Sequence, residues 1–224
     1  MLLGAALLLA SLVAHAETSA SSSSSESSSA SAPSTPNPRV RVSTNMGDFV
    51  IELYPERVPL TVSNFLRYVR EGQYTHTLFH RVISNFVIQG GGHDATSYQL
   101  KPAHEPIPNE SGSGLQNKRG TVGLARGTAA HSGNCQFYVN LADNPDLDPL
   151  PTRWGYSVFG RVVEGMDVIE RIGVTPTGAV GPFKSDAPLK PVVIDKIELV
   201  TASASAPEEK LRSNSASPAV LSPN

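Results

Sequence analysis

Between Val40 and Val200 the apolar residues fall into short segments, mostly closed by Gly, Asn, Asp or Pro, and this pattern limits the available folds more than any other feature. Val40-Arg41-Val42 and Phe49-Val50-Ile51-Glu52-Leu53 alternate apolar and polar residues around Asn45-Met46-Gly47-Asp48, which predicts a β-hairpin. Further short strands are expected at Leu78 to Val82, Val87 to Gln89, Gly120 to Ala125, Gln136 to Asn140, Ser157 to Val163 and Val192 to Val200. A helical period occurs only twice. Val62, Phe65, Leu66 and Val69 share one helical face, with Gly72 as a left-handed stop after Glu71. Met166, Ile169 and Ile172 share another, ended by Gly173. Periodicity therefore predicts a mainly β domain with two helices, of the kind in which a closed or nearly closed β-barrel has helices over its open ends.

Nothing covalent can reinforce such a barrel. Cys135 is the only cysteine, so no intramolecular disulfide can form, and its place next to Gln136 in an expected strand predicts a small buried hydrophobe. With 39% hydrophobic residues in 224, the chain can build one substantial core. Residues 39 to 200 hold 16 Lys or Arg against 16 Asp or Glu. That balance leaves no basic stripe to grip nucleic acid, which is excluded as a partner.

The termini read differently. Residues 1–16 form a candidate signal peptide, because the apolar run from Leu2 to Ala14 ends in the small-x-small sequence Ala14-His15-Ala16. Cleavage after Ala16, export to the periplasm or medium, and no stable membrane insertion afterwards are the expectations, although Lys and Arg are absent ahead of the run. Residues 17–38 contain eleven serines and three prolines and read as a flexible linker, with a reach of roughly 25 Å. Residues 201–224 are again rich in Ser, Ala and Pro and read as a disordered tail. The folded domain is thus expected at 39–200.

Two stretches in that domain carry chemistry. Phe79-His80-Arg81-Val82-Ile83 followed by Phe86-Val87-Ile88-Gln89-Gly90-Gly91 sets one guanidinium among apolar side chains and adds an amide. Gln136-Phe137-Tyr138-Val139-Asn140 repeats the theme: on a strand, Gln136 and Tyr138 share a face while Phe137 and Val139 turn to the core. A planar fork of donors beside amides suits a peptide backbone rather than a phosphate or a metal.

In these stretches the chain, from about Val40 to Val200, resembles the cyclophilin family of peptidyl-prolyl cis-trans isomerases, similar to its bacterial exported members. The resemblance implies an eight-stranded antiparallel barrel capped by two helices, monomeric, acting on proline-containing segments of unfolded or folding proteins. By position it implies Arg81 as the catalytic arginine, Gln89 and Gln136 as backbone-binding glutamines, and Phe86, Val87, Tyr138 and Leu147 as the proline pocket. Ala125 and Arg126 match the loop that holds the residue before proline, and Tyr156 stands where many eukaryotic members have histidine. One position departs from the family: Asp146 replaces the usual aromatic residue before Leu147, so a pocket wall is lost and weak cyclosporin binding is expected.

Rotation about the bond before proline requires no nucleophile, general base, metal or cofactor. His76 and His80, four apart, would suit zinc only on a helix, and Cys135 with His131 and Asp143 would make a thiol triad only if Cys135 faced outward. Gly90-Gly91-Gly92 lacks the Lys of a phosphate loop and reads as permitting a tight turn. The alternative of another class is a cyclophilin-like binding module or chaperone that holds proline segments with little turnover.

Overall fold

The computed structural model describes residues 36–200; the predicted signal peptide, most of the Ser-rich linker and the C-terminal tail lie outside the described residues. In chain order the elements are β1 (Arg39–Thr44), β2 (Gly47–Leu53), α1 (Pro59–Arg70), β3 (Thr77–Ile83), β4 (Val87–Asp94), β5 (Thr121–Leu124), β6 (Phe137–Asn140), β7 (Val158–Glu164), α2 (Met166–Gly173), β8 (Thr177–Val180), β9 (Phe183–Pro188) and β10 (Val193–Leu199). Eight strands close into an antiparallel barrel in the order β1-β10-β3-β4-β6-β5-β7-β2. The predicted hairpin is its first pair, with Thr44 opposite Gly47 across the turn. The barrel also takes in the residues just ahead of it, since the Leu53 N–H donates to the Pro38 carbonyl at 2.9 Å.

The interior is apolar because each strand turns its alternate residues inward. Ile88, Val139 and Val122 pair in register across β4, β6 and β5, and none of the three is exposed. Helix α1 closes one side of this core with Val62, Phe65, Leu66 and Val69. Phe65 is its centre, with ring centroids at 5.2 Å from Tyr74, 5.8 Å from Phe137 and 5.0 Å from Phe159. Val58 cannot cap the helix with its side chain, and the Glu110 carboxylate does so from another segment, accepting the N–H groups of Leu60 at 3.2 Å and Thr61 at 2.7 Å. Gly72, at φ +68°, turns the chain away from the helix end as its position predicts.

The hairpin β8–β9 falls outside the predicted elements, because Thr177-Gly-Ala-Val lacks a clear apolar alternation. It is held to the barrel instead by Phe183, whose ring meets those of His80, His93 and Tyr98 at 5.5, 5.0 and 6.2 Å. The three glycines at 90–92 form no tight turn; they lie within β4. A Cβ at Gly90 would come 2.6 Å from the Leu78 carbonyl, and one at Gly91 would strike Tyr74 and Phe137, so these glycines permit close approach inside the sheet.

Candidate active site

Four neighbouring strands place one row of residues on the outer face of the barrel. Arg81 of β3 pairs with Gln89 of β4, Gln89 with Tyr138 of β6, and Tyr138 with Gly123 of β5. Residues in register share a face, so an arginine, a glutamine and a phenol ring stand side by side and the row ends in a residue without a side chain. That last feature is a requirement, because a Cβ on Gly123 would overlap the Tyr138 ring and hydroxyl. Tyr138 can therefore lie flat over β5 and form the floor of a depression.

The depression is a cavity of about 240 Å³ lined by Arg81, Phe86, Val87, Gln89, Ala125, Arg126, Tyr138, Leu147 and Tyr156. All of the residues expected at the site from the sequence meet here except Gln136. That residue lines an adjoining cavity of about 270 Å³ together with Gln89, Ala125, Arg126, Gly127, Ser132 and Asn134. The two compartments are joined by an amide chain: Arg81 Nη1 approaches Gln89 Oε1 at 3.4 Å, and Gln89 Nε2 donates to Gln136 Oε1 at 3.1 Å. Gly92 makes that chain possible, since a Cβ there would sit 2.6 Å from Gln136 Cγ.

Hydrogen-bond accounting separates the two arginines of the site. Arg126 donates from Nε to the Gly155 carbonyl at 3.1 Å, from Nη1 to Gly127 at 3.0 Å and from Nη2 to Trp154 at 2.9 Å, and its guanidinium lies 4.3 Å from the Tyr156 ring centroid. It is a fixed wall that ties two loops together. Arg81 is half-buried, sits 5.9 Å from the Phe86 ring centroid, and among the described residues makes only the long contact to Gln89. Most of its five donors are free for a ligand in the cavity.

The departures seen in the sequence have structural counterparts. Asp146 is exposed on the short 3-10 turn Pro145–Leu147, so it supplies no wall to the cavity. Trp154 does not take its place: 48% exposed, it packs against His131 and lines a different depression with Pro149, Leu150 and Pro151. Cys135 is buried, and burial pushes its thiol up from the ordinary value. Its supposed partners are engaged elsewhere, His131 accepting the Asn109 N–H at 3.0 Å and Asp143 accepting from Lys118 and Arg119. The two histidines four apart also separate, His76 contacting Thr96 while His80 packs on His93. The His80 Nδ1 is buried with no partner among the described residues.

Sequence reasoning missed what lies under the floor. The Tyr138 hydroxyl donates to Asn117 Oδ1 at 2.6 Å, and burial holds it protonated far into the alkaline range. A tyrosine on a buried strand face needs such a partner; only its position among distant residues was hidden.

A closed barrel carrying one under-used arginine beside a cavity of mixed polar and apolar lining and an adjoining polar channel is suited to holding a peptide. Residues 39–199 match the family model described as cyclophilin type peptidyl-prolyl cis-trans isomerase/CLD. The chain is 45% identical over 161 residues to peptidyl-prolyl cis-trans isomerase B of Escherichia coli, covering 70% of this chain and 97% of that protein. It is 44% identical to peptidyl-prolyl cis-trans isomerase cyp18 of Streptomyces antibioticus, covering 72% and 98%. Among solved structures, a Cryptosporidium parvum cyclophilin crystallised in the presence of the dipeptide Ala-Pro superposes with a TM-score of 0.63 at 26% identity, covering 73% of this chain and 99% of that one. The chain belongs to the cyclophilin-type peptidyl-prolyl cis-trans isomerases, and proline-containing peptides are its substrates.

Proposed function

We propose that the protein accelerates rotation about Xaa-Pro bonds in exported proteins during their folding, with Arg81 as the group that favours the twisted amide. The observation that carries this reading is the contrast between the arginines: one guanidinium held by three carbonyls, the other nearly unclaimed at the edge of a cavity where Phe86, Val87, Tyr138 and Leu147 meet. In the ground state the proline nitrogen shares its lone pair with the carbonyl. At the top of the barrier that sharing is lost, and a donor aimed at the nitrogen binds more strongly than in either planar form.

Phe86, Val87, Tyr138 and Leu147 hold the pyrrolidine ring, and Gln89 and Gln136 hold the flanking backbone so that one end turns while the other stays. Ala125, Arg126 and Tyr156 border the residue before proline. With no aromatic side chain from position 146 at the cavity, cyclosporin binds weakly. The enzyme works as a monomer in the periplasm or medium after cleavage following Ala16, with no nucleic-acid partner.

The test is NMR exchange between cis and trans Ala-Pro-Phe peptide, which reads rotation without a coupling protease. Exchange cross-peaks growing in proportion to added enzyme are expected. Peptide resonances that shift on titration without added exchange would leave only a binding module. Intact mass of protein recovered from the medium or periplasm is expected to begin at Glu17; a mass starting at Met1 overturns the cleavage.

A further inference from the structure

Beneath the proline cavity lies a polar cluster that the proposed mechanism does not use. Asn117, Asn140 and Asn144 are 1%, 0% and 8% exposed, a deep burial for three amides in a sheet protein. Burying such groups is unfavourable unless each is paired, and here they pair with one another and with the cavity walls. Asn117 Oδ1 accepts the Tyr138 hydroxyl at 2.6 Å and Asn140 Nδ2 at 3.2 Å. Asn144 Nδ2 donates both to Asn140 Oδ1 at 2.7 Å and to the Phe86 carbonyl at 2.9 Å. The Asp148 carboxylate accepts Asn117 twice, from its backbone N–H at 2.7 Å and from Nδ2 at 2.9 Å.

The outer ends of this network lie on elements of the cavity. Tyr138 is the floor, the Phe86 carbonyl belongs to one wall, and Asn144 with Asp148 brackets the short turn that carries Leu147. The turn is tied at its backbone too, the Asn144 N–H donating to the Asn117 carbonyl at 2.8 Å. Three surfaces that come from separate segments thus share one hydrogen-bonded base.

We propose that the Asn117, Asn140, Asn144 and Asp148 cluster is a positioning device that makes Phe86, Tyr138 and Leu147 a single rigid receptacle, and that its rigidity sets the enzyme's selectivity for the five-membered ring of proline over larger cyclic imino acids. These residues touch no substrate; they act through the walls. A cavity whose walls moved independently would admit a six-membered ring by spreading, whereas walls joined through shared amides resist that in concert. The inference rests on the assignment of this cavity to the proline ring.

The experiment compares kcat/KM for an Ala-Pro-Phe peptide and for its pipecolic acid counterpart, in wild type, Tyr138→Phe, Asn144→Ala and the double variant. Wild type is expected to favour proline strongly. Each single variant is expected to reduce that preference at least fivefold, mainly through the KM of the two substrates. The double variant is expected to fall within about twofold of the weaker single, because the two changes cut the same hydrogen-bonded chain, Tyr138–Asn117–Asn140–Asn144, at its two ends. Glu110→Ala, which uncaps α1 and removes a carboxylate whose hydrogen bonds go to Leu60 and Thr61 and to no residue lining the cavity, supplies the control: it lowers stability and leaves the preference unchanged.

An unaltered preference in Tyr138→Phe overturns the proposal, and so do single effects that multiply in the double variant. Tyr138→Phe differs by one oxygen, so it decides the matter even where Asn144→Ala does not fold. Failure of the cavity assignment itself would show differently, as wild-type enzyme indifferent to ring size.

Discussion

Arg81→Ala is expected to lower kcat/KM for a proline peptide by roughly 10²- to 10³-fold while leaving the fold intact. One preorganised donor aimed at charge that develops only at the transition state supplies about 3 to 4 kcal/mol, and about 1.36 kcal/mol corresponds to each decade. A total acceleration of the order of 10⁵ would need near 7 kcal/mol. Arg81 therefore carries about half, and the receptacle and the glutamine channel supply the rest by restricting which part of the peptide can turn. The variant should retain peptide binding, because the apolar walls remain.

Stability should change by no more than about 0.5 kcal/mol, since the side chain is half-exposed and holds one 3.4 Å contact. Arg81→Lys keeps the charge but loses the planar fork, and should fall between the two. NMR exchange rates over a range of peptide concentrations, read beside a urea unfolding curve, check both halves. A variant that keeps a third of wild-type turnover would remove Arg81 from the mechanism. Arg126→Ala should act oppositely, because its donors hold the Gly155, Gly127 and Trp154 carbonyls: the loops loosen and binding suffers more than turnover.

How much of this was legible in the residues depends on the distance over which the physics acts. Alternation and period are local, so β1 to β3, β5 to β7, β10 and α2 could be placed within a residue or two of their ends, whereas β4 runs on through Gly90-Gly91-Gly92 to Asp94, where no apolar alternation marks it, and α1 starts at Pro59, three residues ahead of Val62. The hairpin β8–β9 could not, because what holds it is Phe183 reaching His80 and His93 of other strands. The side chains around the cavity were visible as motifs, since their neighbours in sequence are also their neighbours in a strand. Family pattern supplied their roles; geometry supplied the difference between a spare and a saturated arginine. Gly92 and Gly123 were invisible because their contribution is an absence, room for Gln136 and Tyr138, that only the sheet register reveals. The asparagine cluster was hidden for the same reason: Asn117, Asn140 and Asn144 each look like turn or strand-end residues until the barrel closes.

Lowering the pH from 7 to 4 is expected to remove up to about 3 kcal/mol of folding stability through His80 alone. Burial, and after it the neighbouring His93 imidazole, lowers its pKa from the ordinary 6.5 to about 4. Arg81 beside it in the chain acts the same way, opposed only by the Leu78 backbone. The buried Nδ1 without a partner and the stacked Phe183 ring show why a proton is unwelcome there. The direction follows from which state takes up the proton. Below pH 6.5 the unfolded chain binds it and the folded protein does not, so stability drops with a limiting slope of about 1.36 kcal/mol per pH unit and levels off once the folded form also protonates near pH 4. The three shifted carboxylates act at the acidic end. Asp94, Asp143 and Asp167 are held below their ordinary 3.8 by hydrogen bonds from Ser97, Arg119 and Arg171 respectively, so their stabilisation persists above pH 4 and is lost only on further acidification. His80→Phe keeps a ring against Phe183 and removes the titrating group. Urea unfolding of both proteins at pH 7, 6, 5 and 4 should give curves that diverge from about pH 6.5 downward, wild type losing more. Parallel curves would mean that acid acts elsewhere, and that the imidazole beneath the β8–β9 hairpin takes up its proton as readily folded as unfolded.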